Sequence, residues 1–257
     1  MRVMVTAGGT TEKIDSVRSI ANISTGRLGS LIADAFAMLP EVDEVLYVCS
    51  KTAALPQGDQ INVRYIDNVA SLENEIRTIL NATPVDIIVH SMAVSDYRVA
   101  AVTSASILAD SMLAQGDRLE HIPQEQVETA VASLIKNACS VIGGNGKISS
   151  DIDHMLLLME RTPKIIALFQ TLAPKAVLVG FKLLDGVPHD MLIDTAFRLL
   201  ETNRCSFVLA NDLSGISEQG HIGYLVDRYK HYERFDTKGA IAQGIVSAVM
   251  KQRRGQA

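Results

Sequence analysis

A doubly wound α/β fold with a mostly parallel sheet is what this sequence predicts. Three observations carry it: short, almost continuously apolar runs rich in Val and Ile, helical patterns alternating with those runs, and a Gly-Gly turn directly after the first run. Continuous rather than alternating hydrophobicity means burial on both faces, the condition of a parallel sheet covered by helices.

The first strand is read at residues 3–6 and runs into Gly8-Gly9-Thr10. An amphipathic helix follows at 28–39, then a strand at 45–48, a helix at 69–80 and a strand at 85–89. Residues 127–137 and 163–172 have helical patterning, 176–181 reads as a strand, 191–202 as a helix and 207–210 as a strand. The tail departs from this alternation: residues 223–226 and 231–235 read as a β-hairpin around Asp227-Arg228-Tyr229-Lys230, before a final helix at about 238–250. The whole is Rossmann-like, expected as one domain over 1–257. The stretch at about 98–146 is its least regular part, with a polar tract at 114–126 and Gly143-Gly144-Asn145-Gly146, and is expected to be a functional flap or insertion.

With 257 residues, 47% of them hydrophobic, the chain can bury a substantial core. A net charge of −5 argues against a general nucleic-acid binder, so an anionic ligand must be met by local positive groups. Cys49, Cys139 and Cys205 are scattered, without the C-x-x-C spacing of a zinc or redox site, and suit a reducing compartment. The N-terminus enters a strand at once and no apolar run is long enough for a bilayer, so a cytoplasmic protein without a membrane partner is expected.

The chemistry is expected at two loops. Gly8, Gly9 and Thr10 end the first strand, and Ser24, Thr25, Gly26 and Arg27 open the first helix. Glycines let backbone N–H groups approach an anion, hydroxyls add donors, and a helix start offers unpaired N–H groups with partial positive charge. Gly26 in particular is expected to serve the approach of a phosphate more than the fold. The loops lack the G-x-G-x-x-G of a dinucleotide site, and the second strand ends Cys49-Ser50-Lys51 with no carboxylate for a ribose. Gly146-Lys147 is no P-loop, because Ile148 follows it. Further candidates lie after other strands: His90 to Tyr97, Phe181-Lys182 and Asn211-Asp212. Lys147, preceded by three glycines within four residues, is read as a cation that a flexible segment brings to a developing phosphate charge, against the plain alternative of a solvated lysine. Asp96 is read as holding a sugar hydroxyl or a metal, or as a turn cap; His90 reads as structural. No cluster has metal-ligand spacing, and no protein ligand to a metal is assigned.

These residues resemble the phosphopantothenoylcysteine synthetase family along nearly the whole chain. The resemblance is strongest at Thr6-Ala7-Gly8-Gly9-Thr10, Asp15-Ser16-Val17-Arg18, Asn22 and Ser24-Thr25-Gly26-Arg27-Leu28-Gly29. It continues at Ala93-Val94-Ser95-Asp96-Tyr97, Lys147-Ile148, Thr162-Pro163-Lys164-Ile165-Ile166, Gly180-Phe181-Lys182-Leu183 and Ala210-Asn211-Asp212. It implies a ligase that joins 4′-phosphopantothenate to cysteine through an acyl-nucleotide, with Mg²⁺ and CTP, favoured over ATP, as co-substrate, and implies a homodimer. It gives Lys147 the triphosphate and Asn22 the acyl-nucleotide, and sets Met92, Asp96, Pro163, Lys164, Ile165, Ile166 and Phe181 around the nucleotide. Bacterial members often carry Lys-x-Lys-Lys where this chain has Lys147-Ile148-Ser149-Ser150, and lysines where it has Leu199 and Asn203, which leaves the nucleobase open. Because the chain starts at the synthetase, the resemblance implies a stand-alone bacterial type, with no flavin and the decarboxylation on another polypeptide. Two other readings stand beside this one: an NAD(P)-dependent oxidoreductase, with Ser50 and Lys51 as NADP contacts, and a non-catalytic nucleotide-binding module.

Overall fold

The computed structural model describes residues 1–115, 123–138, 147–216 and 220–255. The chain divides into two compact units, the first made of 1–10, 22–94 and 164–257, the second of 11–21 and 95–163.

The first unit is an eight-stranded sheet. Its strands are β1 (Arg2–Ala7), β4 (Glu44–Ser50), β5 (Ile61–Ile66), β6 (Ile87–His90), β9 (Val177–Leu184), β10 (Phe207–Asp212), β11 (Gly223–Asp227) and β12 (Tyr232–Phe235), numbered with the four strands of the second unit in chain order. Across the sheet they run β12-β11-β10-β9-β6-β1-β4-β5, parallel from β5 to β10 and antiparallel at β10–β11–β12. The strand order reverses between β1 and β6, which makes their carboxyl ends the switch point of the sheet.

Period-two geometry sorts the continuous apolar runs onto two faces. Val3, Val5 and Ala7 of β1, with Val45, Tyr47 and Cys49 of β4, join the core under α1 (Arg27–Ala37) and α7 (Lys238–Arg254). Met4, Leu46, Val48 and Ile88 face the other way, against α2 (Val69–Ala82), α5 (Ile165–Leu172) and α6 (His189–Asn203). Helix starts are set by local chemistry: Asn68 and Ser71 form a reciprocal capping box at α2, and the Thr237 hydroxyl accepts from Ala240 N at α7. The expected C-terminal hairpin and final helix are present, the helix reaching Arg254. The thiols of Cys49 and Cys205 are buried, which pushes them up to about 11 and about 12.

The second unit holds the hairpin β2 (Thr11–Lys13) and β3 (Ser19–Ala21), the antiparallel pair β7 (Tyr97–Ser104) and β8 (Met155–Arg161), and helices α3 (Ala105–Gln115) and α4 (Val127–Ala138). The described part of the 98–146 stretch, expected as a flap or insertion, holds most of β7 with helices α3 and α4 and falls in this second unit. The strand at 97–104 pairs with β8, and the Thr103 hydroxyl donates to Ala138 O at 3.1 Å, tying β7 to α4. Helix α3 escapes a periodicity reading because its apolar residues form no single face: Ile107, Met112 and Leu113 are all exposed. Strand β5 escapes it as an edge strand with Arg64 and Tyr65 outward. The glycine run 143–146, Cys139 and part of the 114–126 tract lie outside the described residues.

The α1/α7 face gives a direct test of this packing. Phe36, fully buried between α1 and the sheet, leaves a cavity when truncated, so Phe36→Ala should lower stability by about 3–5 kcal/mol. A fall in the urea midpoint measures it; an unchanged midpoint would refute the packing.

Candidate functional site

At the switch point β1 continues past Ala7 into Gly8, Gly9 and Thr10, and this extension is bonded to the segment after β6. Ala93 N donates to Gly8 O at 2.9 Å, Thr10 N to Ala93 O at 3.1 Å, and Gly9 bridges Ala93 in parallel register. Ser91 sends both its backbone N–H and its hydroxyl to Thr6 O, at 3.1 and 2.6 Å. Asn22 N donates to Thr10 O at 3.1 Å, closing the neck of the hairpin that leaves at Thr11.

Glycine is required here by space and by backbone angle. Gly8 has φ 83°, and a Cβ on it would run into Ser50 and Ala53; a Cβ on Gly9 would run into the Asn22 carbonyl. Gly26, the residue before α1, sits at φ 67°, and a Cβ there would lie 2.8 Å from Ala53 Cβ and 3.1 Å from Gly8 N. The expectation that Gly26 serves the ligand more than the fold is therefore revised: its left-handed backbone and its contact with Gly8 are folding requirements first. Gly26 brings no side chain to cap α1, Thr25 Oγ1 accepts from Arg27 N at 3.4 Å, no acidic residue occupies the first turn, and Arg27 is exposed there. The start of α1 thus keeps amide donors and a net positive end beside Gly8. Tyr47, fully buried, donates from its hydroxyl to Ala54 O at 2.8 Å, and Ala54 N donates to Thr25 O at 2.9 Å, so the loop after β4 holds the 24–26 segment in place.

In the first unit, therefore, Gly8, Gly9, Thr10, Asn22, Thr25 and Gly26 come together, with Ser24 and Arg27 adjoining in sequence. Met92 and Ile165 are buried in the core on the α2/α5 side, with Ile166 packed against it; Lys164 is the residue at which α5 begins. Phe181 faces the α1/α7 core instead, on the opposite side of the sheet from Met92 and Ile165. Pro163, Asp96 and Lys147 belong to the second unit, where Lys147 and Asp96 are exposed and Asp96 O accepts from Thr162 N at 3.0 Å.

Asn211 and Asp212, candidates by their place after a strand, are engaged in holding the fold. Asn211 Nδ2 donates to Ile222 O at 2.9 Å, and Asp212 accepts from Gly186 N, Val187 N and Ser214 N at 3.1, 3.0 and 2.8 Å. Leu199 and Asn203, which stand where relatives have lysines, lie one turn apart on α6, with Asn203 Nδ2 donating to Leu199 O at 3.0 Å. The NADP alternative through Ser50 and Lys51 is not favoured: the Ser50 hydroxyl is buried under Gly8, and the exposed Lys51 lies 3.5 Å from Asp67. Among the described residues no group of three or more His, Cys, Asp or Glu could hold a metal ion, and no helix is long and apolar enough to cross a membrane.

The sequence reading missed a buried knot in the second unit. The Asp15 carboxylate is fully buried and accepts from Val17 N and Arg18 N at 2.8 and 2.7 Å through Oδ1. Its Oδ2 takes Arg18 Nε at 3.0 Å, Arg18 Nη2 at 2.6 Å and, from far along the chain, Ile148 N at 3.1 Å. Arg18 beside it, together with these amides, holds the carboxyl well below the usual range. The available signal was the motif Asp15-Ser16-Val17-Arg18, whose Asp-turn-Arg spacing lets a carboxylate fold back on its own turn.

Fold and loops together define a Rossmann-like protein with a glycine-built turn at the switch point of its sheet. Residues 1–143 match the family described as the DNA/pantothenate metabolism flavoprotein C-terminal domain, and the chain belongs to that family. It is 29% identical over 227 residues to the coenzyme A biosynthesis bifunctional protein CoaBC of Thermococcus kodakarensis, a match covering 88% of this chain and 45% of that one. The chain spans about half the length of the curated relatives it matches. Among solved structures, the DNA/pantothenate metabolism flavoprotein from Streptococcus pneumoniae is similar at 31% identity and a TM-score of 0.80, over 98% of this chain and 99% of that one. A likeness of fold alone, at 16% identity and a TM-score of 0.67, extends to a Cab2 mutant in complex with phosphopantothenate-cysteine, over 99% of this chain and 86% of that one.

The switch point also carries a pH signature. His90, buried at the end of β6, shares a 2.8 Å hydrogen bond between Nδ1 and the Thr6 hydroxyl and meets Phe169 edge-on, and burial pushes its imidazole down to about 4 from 6.5. Below pH 6.5 the unfolded chain takes up a proton that the folded imidazole refuses, so stability should fall between pH 6.5 and about 4 and then level, by up to about 3 kcal/mol. The depressed Asp15 and Asp212 act only below their ordinary 3.8, and His221, pushed down by burial, also withdraws stability as pH falls below 6.5. Urea titrations at pH 7 and 4.5 should therefore show a smaller loss for His90→Gln than for the parent chain; equal losses would refute the assignment.

Proposed function

We propose that the chain joins 4′-phosphopantothenate to cysteine in coenzyme A biosynthesis. The observation that carries this reading is the glycine-built cradle at the switch point, closed by Asn22 and the start of α1, in a chain of this family. The carboxylate of phosphopantothenate attacks the α-phosphorus of a nucleoside triphosphate, pyrophosphate leaves, and an acyl-nucleotide forms. The cysteine amine then attacks the acyl carbon, loses a proton, and expels the nucleoside monophosphate. Charge builds first on phosphate oxygens and then on the acyl oxygen, so amide donors and a cation are the suitable stabilising groups.

In this reading Gly8, Gly9, Thr10, Ser24, Thr25, Gly26 and Arg27 receive phosphate, Lys147 stabilises the triphosphate, and Asn22 acts on the acyl-nucleotide. Asp96, Pro163, Lys164 and Ile166 stand beside the nucleotide, and Met92, Ile165 and Phe181, whose side chains pack into the core on opposite faces of the sheet, would meet it through their backbone. We favour CTP over ATP, with Mg²⁺ arriving on the triphosphate rather than on a protein site; no flavin takes part in this chemistry. The active form is a homodimer with the C-terminal region as contact surface, and the setting is the cytoplasm. The deciding assay supplies phosphopantothenate, cysteine, Mg²⁺ and each nucleoside triphosphate in turn. It identifies the monophosphate formed, and no monophosphate with any of them would sink the reading.

Two variants test the roles. Lys147→Gln removes a charge-assisted contact made in the transition state and should slow pyrophosphate release about a hundredfold, on the order of 3 kcal/mol, with melting temperature unchanged. A near-normal rate would return Lys147 to the solvated surface.

Asn22→Asp replaces an amide donor with a negative charge facing an anionic intermediate, so transfer to cysteine should fail more than activation. Mass spectrometry of the quenched reaction should then find accumulated acyl-nucleotide, whereas a parallel decline of both half-reactions would assign Asn22 to loop shape.

A further inference from the structure

The residue that follows Lys147 is gripped at both of its backbone polar atoms, the amide of one peptide and the carbonyl of the next. Ile148 N donates to Asp15 Oδ2 at 3.1 Å, Ile148 O accepts from Arg18 Nη2 at 3.0 Å, and the same Nη2 lies 2.6 Å from Asp15 Oδ2. The Ile148 side chain is buried while Lys147 is exposed, so the backbone turns from a fixed, desolvated residue to a side chain that projects into solvent. The partners are far apart in sequence: turn 15–18 lies in the hairpin between Thr10 and Asn22, and Ile148 is more than a hundred residues on. A fully buried carboxylate is a costly way to fix a surface segment, and it is sustained here because backbone amides and a guanidinium converge on it. Arg18 is also the residue type that can span both acceptors, since its planar fork presents several donors at once.

We propose that Asp15 is a positioning residue for Lys147, fixing the Ile148 backbone jointly with Arg18 so that the ammonium is presented to the triphosphate in one place. The proposal rests on the reading of Lys147 as the phosphate-stabilising cation. Asp15 touches no substrate in this role; it acts through the peptide it holds. A cation that must meet charge developing on phosphate loses rate steeply when misplaced by an ångström.

Asp15→Asn separates the two halves of the knot. An amide oxygen can still accept from Val17 N and Arg18 N, preserving the turn, but its NH₂ then faces the donors of Arg18 and Ile148. In the full chain, exchange of the Ile148 amide hydrogen should accelerate at least about tenfold, and pyrophosphate release with phosphopantothenate, Mg²⁺ and CTP should slow about tenfold, mostly in kcat. Combined with Lys147→Gln, the Asp15 change should cost less than about twofold further, because the group it positions is gone. Unchanged Ile148 exchange, or losses that multiply in the double variant, would overturn the proposal while leaving the ligase reading intact. A normal rate for Lys147→Gln alone would overturn both the Lys147 role and this proposal. If melting curves show that Asp15→Asn does not fold, Arg18→Lys takes its place, keeping a cation against Asp15 but unable to reach the Ile148 carbonyl as well. The same faster exchange and slower release are expected of it, and the same contrary results would overturn the proposal.

Discussion

Close approach between backbones is the constraint on which the first unit depends. Where β1 ends, the first turn of α1, the loop after β4, the segment after β6 and the Asn22 backbone all crowd the same few peptides, and a single Cβ at Gly8, Gly9, Gly26 or Gly29 would collide with a neighbour. Gly29 shows the same logic one turn into α1, where a Cβ would lie 2.5 Å from Ala7 Cβ and 2.8 Å from Ser91 Oγ. The helix can sit directly on the strand only because these positions carry no side chain. The start of α1 is thereby brought to the switch point, and the glycines proposed to receive phosphate are the same ones that let the sheet and helix pack.

Acidic side chains serve a different purpose from the one their number suggests. Asp34 accepts from Gln57 N and Gly58 N, Asp86 binds Arg2 N and pairs with Arg253, Asp212 gathers three backbone amides, and Asp15 holds its own turn and a distant peptide. Each satisfies loop donors that would otherwise be left unpaired where loops meet the sheet. Among the described residues, carboxylates dispersed in this way satisfy backbone donors and do not cluster as metal ligands.

The parallel sheet was legible in sequence because burial on two faces leaves an unbroken apolar signature in β1, β4, β6, β9 and β10. The cradle was legible because glycine and hydroxyl residues cluster at the ends of those strands. What escaped reading has physical reasons. Strand β5 is an edge with outward Arg64 and Tyr65, α3 distributes its apolar residues around its axis, and β7 and β8 recognise one another across 50 residues through a ladder that no local pattern announces. Phe181 illustrates the remaining limit. Its place at a strand end was evident, yet the face it takes follows from register, which puts it with Val177 and Val179 rather than with Leu178. The Asp15 knot is hidden for the same reason: its short-range half is visible as a turn motif, while its long-range half is a single hydrogen bond to Ile148.

Cys49 and Cys205 lie in the interior with thiols held near 11 and 12, so at neutral pH only about one molecule in ten thousand or fewer carries either as thiolate. Exchange with a disulfide requires that thiolate and access to it. Free cysteine oxidises in air to cystine, a disulfide that exchanges with accessible protein thiolates. Placing these two thiols in the apolar layers of the sheet keeps both out of exchange with the cystine that the proposed substrate becomes in air.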